Sequence, residues 1–218
     1  MQWSDSGIVL SARKHGETSA IVHVLTSAHG RHAGLVRGGA GRRMRSIVQP
    51  GNELQVTWRA RLSEQLGTFT VDLSHPRAAE VLHDPLRLAG VLAACEIIDA
   101  ALPERAPDPD GFTVFRALLE AVARADDWSV TYARWELGLL ASLGFGLEPV
   151  SISRVPFLAG QSAPTTPAAR RAAVLDALLL TGEHLPPALM DHRTTLPARG
   201  RLVERLAREP ALDTPWGH

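Results

Sequence analysis

The stretch Glu53-Leu-Gln-Val-Thr-Trp-Arg59 decides how the first third of this chain is read. Leu54, Val56 and Trp58 alternate with Gln55, Thr57 and Arg59, so a strand of period two sends three apolar side chains to one face and leaves Arg59 on the other. Arg61 would continue that outward row. Comparable β-prone runs stand on either side: Gly7 to Arg13, Ser19 to Thr26, Arg31 to Arg37 and Gly67 to Leu73. The breaks between them are HGET, SAHG, the GGAG loop running through QPGN, and LSEQ, all rich in turn formers.

Five short strands over this length predict a small Greek-key barrel of the OB type, because a sandwich usually needs about seven. Around Pro76 the period changes. Asp84-Pro85 sets a capping carboxylate before a proline at the first helical position, and Leu86, Leu88, Ala89, Leu92, Ala93, Ile97 and Ile98 then follow a helical stripe. RAPDPDG ends that helix; Asp110 opens a second through Phe112, Phe115, Leu118, Leu119 and Val122. A third follows Asp126-Asp127 and stops at Gly144. The proline-rich stretch from Gly146 to Pro167 reads as a loop or linker. Ala168 to Leu180 resumes helix, Pro186 and Pro187 break it, Arg201 to Arg208 makes a last short one, and Glu209 to His218 reads as a frayed tail. The fold class expected is therefore α+β. Residues 1–78 would form a five-stranded OB-fold barrel, and residues 79–218 an all-helical domain with a shortened irregular insertion at about 147–167.

Lys and Arg number 23 and Asp and Glu 23, so the formal net charge is +0 and any basic surface must come from segregation. From Gly30 to Arg61 the only acid is Glu53, against Arg31, Arg37, Arg42, Arg43, Arg45, Arg59 and Arg61. Lys14 is the only lysine, so cationic surface here means guanidinium, which forks onto phosphate in a way ammonium does not. The single cysteine, Cys95, excludes an intrachain disulfide and a cysteine-built zinc site. MQWSDSG has neither a basic nor an apolar leader character, and the later apolar runs are interrupted by charge, which predicts a cytoplasmic protein with no membrane span.

The basic segment Gly30 to Arg45 divides into an edge-capable strand, Arg31 to Arg37, and a flexible glycine-arginine loop, Gly38 to Arg45. Phosphate contact by such a segment releases counterions, and glycines let the backbone approach a nucleic-acid strand. Trp58 and Phe69 alternate as core residues would, while Trp3 is freer to stack on a base. GGAG lacks the Gly-Lys-Ser/Thr ending and the G-x-G-x-x-G spacing of nucleotide loops. His15, His29 and His32 fall at turns or strand ends and read as solvated; His184 and His192 flank a proline break without a third ligand; no metal or other cofactor is implied. Cys95 reads as a small apolar residue in a buried stripe. No G-x-S-x-G or H-E-x-x-H occurs, and Asp126-Asp127 looks like a helix start rather than an acid–base pair, so the residues anchor no hydrolytic chemistry.

Several segments together resemble the RecO family of bacterial recombination mediators. They are GIVLSARKHGETSAIVHVLTSAHGRHAGLVRGGAG, QPGNELQV, Ala101-Leu-Pro-Glu104, WELGLLASLGFG ending at Gly146, LDALLLTGEHL and PARGRLVERL. The resemblance covers most of the chain in the right order. It implies an amino-terminal OB-fold joined to a helical domain and a non-enzymatic role in DNA repair. That role is binding single- and double-stranded DNA, annealing complementary strands, and working with RecR and the single-strand binding protein so that RecA can load. Many members carry a four-cysteine zinc module after the Gly-Phe-Gly turn. This chain has no cysteine there, so zinc is not carried over.

On this reading Arg37, Arg42, Arg43 and Arg45 are the principal DNA contacts and Arg31, Arg59 and Arg61 secondary ones. The acidic, apolar-ended tail of the single-strand binding protein would need an apolar pocket rimmed by arginine, for which Arg116, Arg124 and Arg134 are the candidates. The rival reading is a protein–protein interaction adaptor without direct DNA binding, and a third is a metal-dependent nuclease.

Overall fold

The structure, a computed structural model, describes residues 1–62, 64–186 and 196–208; the expected break at Pro187, His192 and the expected frayed tail lie outside them. Five strands, β1 (Gln2–His15), β2 (Ser19–Thr26), β3 (Gly30–Val36), β4 (Glu53–Arg59) and β5 (Thr68–His75), close into a barrel in the order β1-β2-β3-β5-β4. All pairings are antiparallel except β3 with β5, which meet in parallel at Leu35–Thr68 and Val36–Phe69. A closed five-stranded Greek key of this order is the OB-fold architecture expected from the strand pattern.

β1 begins at Gln2, five residues earlier than expected from Gly7, because it serves two partners. Its first half pairs with β4 and its second half with β2. A register shift between Val9 and Ser11 bends it between the two tasks. The turn before β4 fills the gap: Val9 N donates to Asn52 O at 3.0 Å, and Gly51 N donates to Val9 O at 2.9 Å.

The helices are α1 (Arg42–Ile47), α2 (Arg77–Glu80), α3 (Pro85–Ala101), α4 (Pro109–Arg124), α5 (Trp128–Ser142), α6 (Pro149–Ile152), α7 (Pro167–Glu183) and α8 (Pro197–Arg208). Asp84 caps α3 as expected, accepting from Leu86 N at 2.9 Å and Arg87 N at 3.0 Å. The second long helix opens at Asp108-Pro109 rather than at Asp110: the Asp108 carboxylate accepts from Gly111 N at 2.9 Å and so fixes the start two residues earlier.

The stretch 146–167 is not a solvent linker. It holds α6, and its Leu147, Val155 and Phe157 are buried in the helical core, with Arg134 over the Phe157 ring at 5.8 Å. These three apolar anchors hold the short segment down, each worth about 2 kcal/mol when fully buried.

Two apolar clusters form. One fills the barrel, with Val9, Val22, Val24, Val36, Leu54, Val56, Trp58, Phe69 and Val71. The other joins the helices and takes Ile8, Leu10 and Leu25 from the outer wall of the barrel. Cys95, fully buried in α3 at this contact, has its thiol pushed far up by burial, which makes it an inert packing group. The barrel wall and the helices therefore share one core.

Candidate nucleic-acid interface

The segment after β3 builds the basic feature. Gly38 takes a positive φ of 70°, Ala40 N donates to Thr18 O at 2.9 Å, and the chain then enters α1. The expectation of a flexible loop from Gly38 to Arg45 is therefore corrected: only 38–41 is turn, and Arg42, Arg43 and Arg45 stand on a helix. Two anchors explain the helix. Met44 and Ile47, three apart and partly buried, pack against the barrel core. Asn52, 2% exposed, donates from Nδ2 to Ser46 O and Ile47 O at 3.0 Å each, tying down two of the last carbonyls.

Arg42 and Arg43 line a groove of about 700 Å³ between α1 and β5, with Met44, Ile47, Val71, Asp72 and Leu73. Arg45 faces a neighbouring pocket of about 320 Å³ that it shares with Lys14, Gln49 and Pro50. Arg37, Arg42, Arg43, Arg45, Arg59 and Arg61 are all exposed, and among the described residues none forms an ion pair.

Two groups of arginines are placed differently. Arg59 ends β4 and Arg61 follows it, six and eight residues beyond Glu53, so Arg59 lies about 20 Å along the strand from the α1–β4 turn. Arg61 falls outside β4 and continues no strand row.

Arg31 is not on the free surface. Its Nε donates to Leu102 O at 2.8 Å, and Nη1 donates to Asp99 at 3.2 Å and lies 3.8 Å from Glu104. The same carboxylate takes the Ser11 hydroxyl at 2.7 Å and His23 Nδ1 at 2.6 Å. Burial alone would raise the Asp99 pKa, but hydrogen bonds from His23 and Ser11 and the charges of His23 and Arg31 outweigh it and hold it below its ordinary 3.8. The seam between barrel and α3 thus takes up an arginine that sequence reasoning counted for DNA. The apolar helix stripe hid the signal, since Asp99 lies within it and meets the barrel only in the folded chain.

The aromatic residues also differ from expectation in one case. Trp58 and Phe69 are interior, at 2% and 4% exposed. Trp3, expected to be free, lies in β1 opposite Trp58 and stacks on His29 at 4.0 Å with 7° between planes. His29 bonds Asp5 at 3.1 Å, and His32, expected to be solvated, is 6% exposed with Nδ1 donating to His29 O at 3.0 Å. Burial holds the His32 pKa below 6.5. Among the described residues no group of three or more His, Cys, Asp or Glu is arranged to hold a metal ion.

The three arginines considered for a partner peptide do not make one patch. Arg116 lies 3.5 Å from Glu53, and Arg124 pairs with Glu80 at 3.3 Å and Glu120 at 2.9 Å. These acids also hold the buried Arg77, through Glu53 at 2.5 Å and Glu120 at 2.7 Å, so their charge is shared. Arg134 instead donates to Phe157 O at 3.3 Å and Gln161 O at 3.4 Å. No helix among the described residues is long and apolar enough to cross a membrane.

Comparison with known proteins adds to this geometry. A family model described as Recombination protein O N terminal matches residues 1–77, and one described as Recombination protein O C terminal matches residues 82–151. A DNA repair protein RecO of Rhodospirillum centenum is 53% identical over 148 residues, covering 68% of this chain and 59% of that protein. One of Rhodospirillum rubrum is 40% identical over 251 positions, 98% of this chain and 99% of that protein. One of Ruegeria sp. is 40% identical over 240 positions, 95% of this chain and 99% of that protein.

Proposed function

Because the chain belongs to the RecO family, whose matched members are named DNA repair protein RecO, we propose that it acts in DNA repair as a DNA-binding recombination mediator without a catalytic centre. The single observation that carries the binding reading is α1: Arg42, Arg43 and Arg45 are exposed, carry no ion pair among the described residues, and are fixed on a helix that Asn52 ties down. A backbone already held as a helix sets the spacing of the three arginines, so binding orders only their side chains, at about 0.5–1.5 kcal/mol each, and contact with phosphates needs no reading of bases. Arg37 extends this surface; Arg59 and Arg61 form a second, distant set, and Arg31 stays with the seam.

The barrel then holds single- or double-stranded DNA by its backbone. Annealing follows from neutralised strands whose bases remain free to pair. Helping RecA onto strands covered by single-strand binding protein, alongside RecR in the cytoplasm, is the role the family resemblance supplies.

An anisotropy titration with unrelated DNA sequences tests the site. The triple variant R42A/R43A/R45A should weaken binding to all of them alike and flatten the salt dependence by roughly one unit of slope per lost contact. Unchanged affinity and slope in the folded variant would remove the site. No salt-sensitive binding by the unaltered protein, with retention on a partner peptide, would favour the adaptor reading, and loss of labelled DNA on adding magnesium or manganese would favour a nuclease.

A further inference from the structure

We propose that the DNA-binding surface does not end on the barrel but crosses the seam onto the last helix, with Arg13, Arg201 and Arg205 forming a second basic track beside the Lys14–Arg45 pocket; this rests on the DNA-binding reading above. The Lys14–Arg45 pocket and a larger cleft of about 570 Å³ between the barrel and α3 and α8 share Pro50 as a common wall. Arg13, His23, Arg31, Glu96, Asp99 and Arg201 line that cleft.

Its acids are already hydrogen-bonded, and Arg13, Arg31 and Arg201 outnumber Glu96 and Asp99 along its walls. Asp99 takes hydrogen bonds from Ser11, His23 and Arg31. Glu96 accepts from Ala198 N at 2.8 Å and Arg199 N at 3.0 Å, at the start of α8. Arg13 and Arg201 are exposed, and among the described residues neither forms an ion pair, so the charge left for a ligand is positive.

The helix that carries Arg201 is firmly held. Leu202 and Leu206 are buried, and Arg199 reaches into the core to meet Glu136 at 2.6 Å. Arg201 and Arg205, four residues apart, therefore project from one fixed outer face. A small anion needs its cations to converge on a point. Here they are strung over two strand residues and a helix on either side of a cleft, which matches the repeating charge of a phosphodiester backbone.

The test is anisotropy with a single-stranded oligonucleotide over a range of salt, using the full chain, R13A/R201A, R201K and R201Q. The double variant should lower the salt slope by roughly two units, about one per contact, with an unchanged unfolding midpoint because both groups are exposed. R201K should keep the slope that R201Q loses. If the full chain binds and R42A/R43A/R45A weakens it, while R13A/R201A keeps affinity and slope, the extension is overturned and the barrel alone is the surface. If the full chain shows no salt-sensitive binding, the DNA reading fails and the extension with it.

Discussion

His23 Nδ1 lies 2.6 Å from Asp99 Oδ1, a contact between residues 76 apart in sequence that joins β2 to α3. With Ser11 and Arg31 on the same carboxylate, Asp99 becomes the polar fastening of an otherwise apolar seam. The low Asp99 pKa means the folded state favours its ionised form. That stabilisation is present above pH 3.8 and is lost as pH falls through the lower folded value. The variant D99N should cost about 2 kcal/mol at neutral pH, the scale of hydrogen bonds to a charged group. It should also remove this acid-dependent loss. Urea unfolding at pH 7 and near pH 3 measures both effects.

His32 also loses stability on acidification, but because burial disfavours its charged form rather than because partners favour one. Buried, with Trp3 and Trp58 ring centroids at 5.0 and 5.6 Å, it is held neutral, so the unfolded chain binds its proton more readily. Stability from this residue is complete above pH 6.5 and falls as pH drops from 6.5 towards the folded pKa. The difference in urea midpoint between the unaltered protein and H32F should therefore shrink or reverse between pH 7 and pH 5. A pH-independent difference would exclude His32 as the titrating group.

Asn52 holds three elements together: it donates to the end of α1 and accepts from Ala78 N at 3.0 Å, where α2 begins. Replacing it with alanine leaves buried backbone groups without partners and should cost about 2–3 kcal/mol. Faster hydrogen exchange should be confined to α1, the 48–52 turn and α2. Exchange changes spread evenly over the barrel would contradict this account.

Glu136, 1% exposed, receives Arg199 through Nη2 at 2.6 Å and the Thr181 hydroxyl. The variant E136A strands a buried guanidinium and should destabilise by about 3–5 kcal/mol. The loss should register first as proteolytic cleavage around α8, because α8 supplies Arg199. E136Q, which keeps an acceptor, should fall between the two.

Much of the barrel is legible in the sequence. Alternation in Glu53–Arg59 places Leu54, Val56 and Trp58 inside, and all three are at most 2% exposed. The Asp84 cap was equally readable, because capping depends on residues two and three positions away. The α1 helix was not, since GGAGRRMR has turn formers and charge, and its stability comes from Asn52 and the barrel wall. Trp3 and His32 differ from expectation for the same reason: rings from other strands cover them, leaving Trp3 half-buried and His32 buried.

The sequence alone determined what short-range chemistry controls, namely strand alternation, helix starts and the segregation of arginine into residues 31–61. Only the tertiary structure decided which arginines remain available. Arg31 and Arg42 are alike in sequence, yet Arg31 meets Asp99 across the seam while Arg42 stands on a helix facing solvent. Charge is a property of the residue, but its availability depends on whether folding brings a counter-charge within reach, and Asp99 does so from 68 residues away.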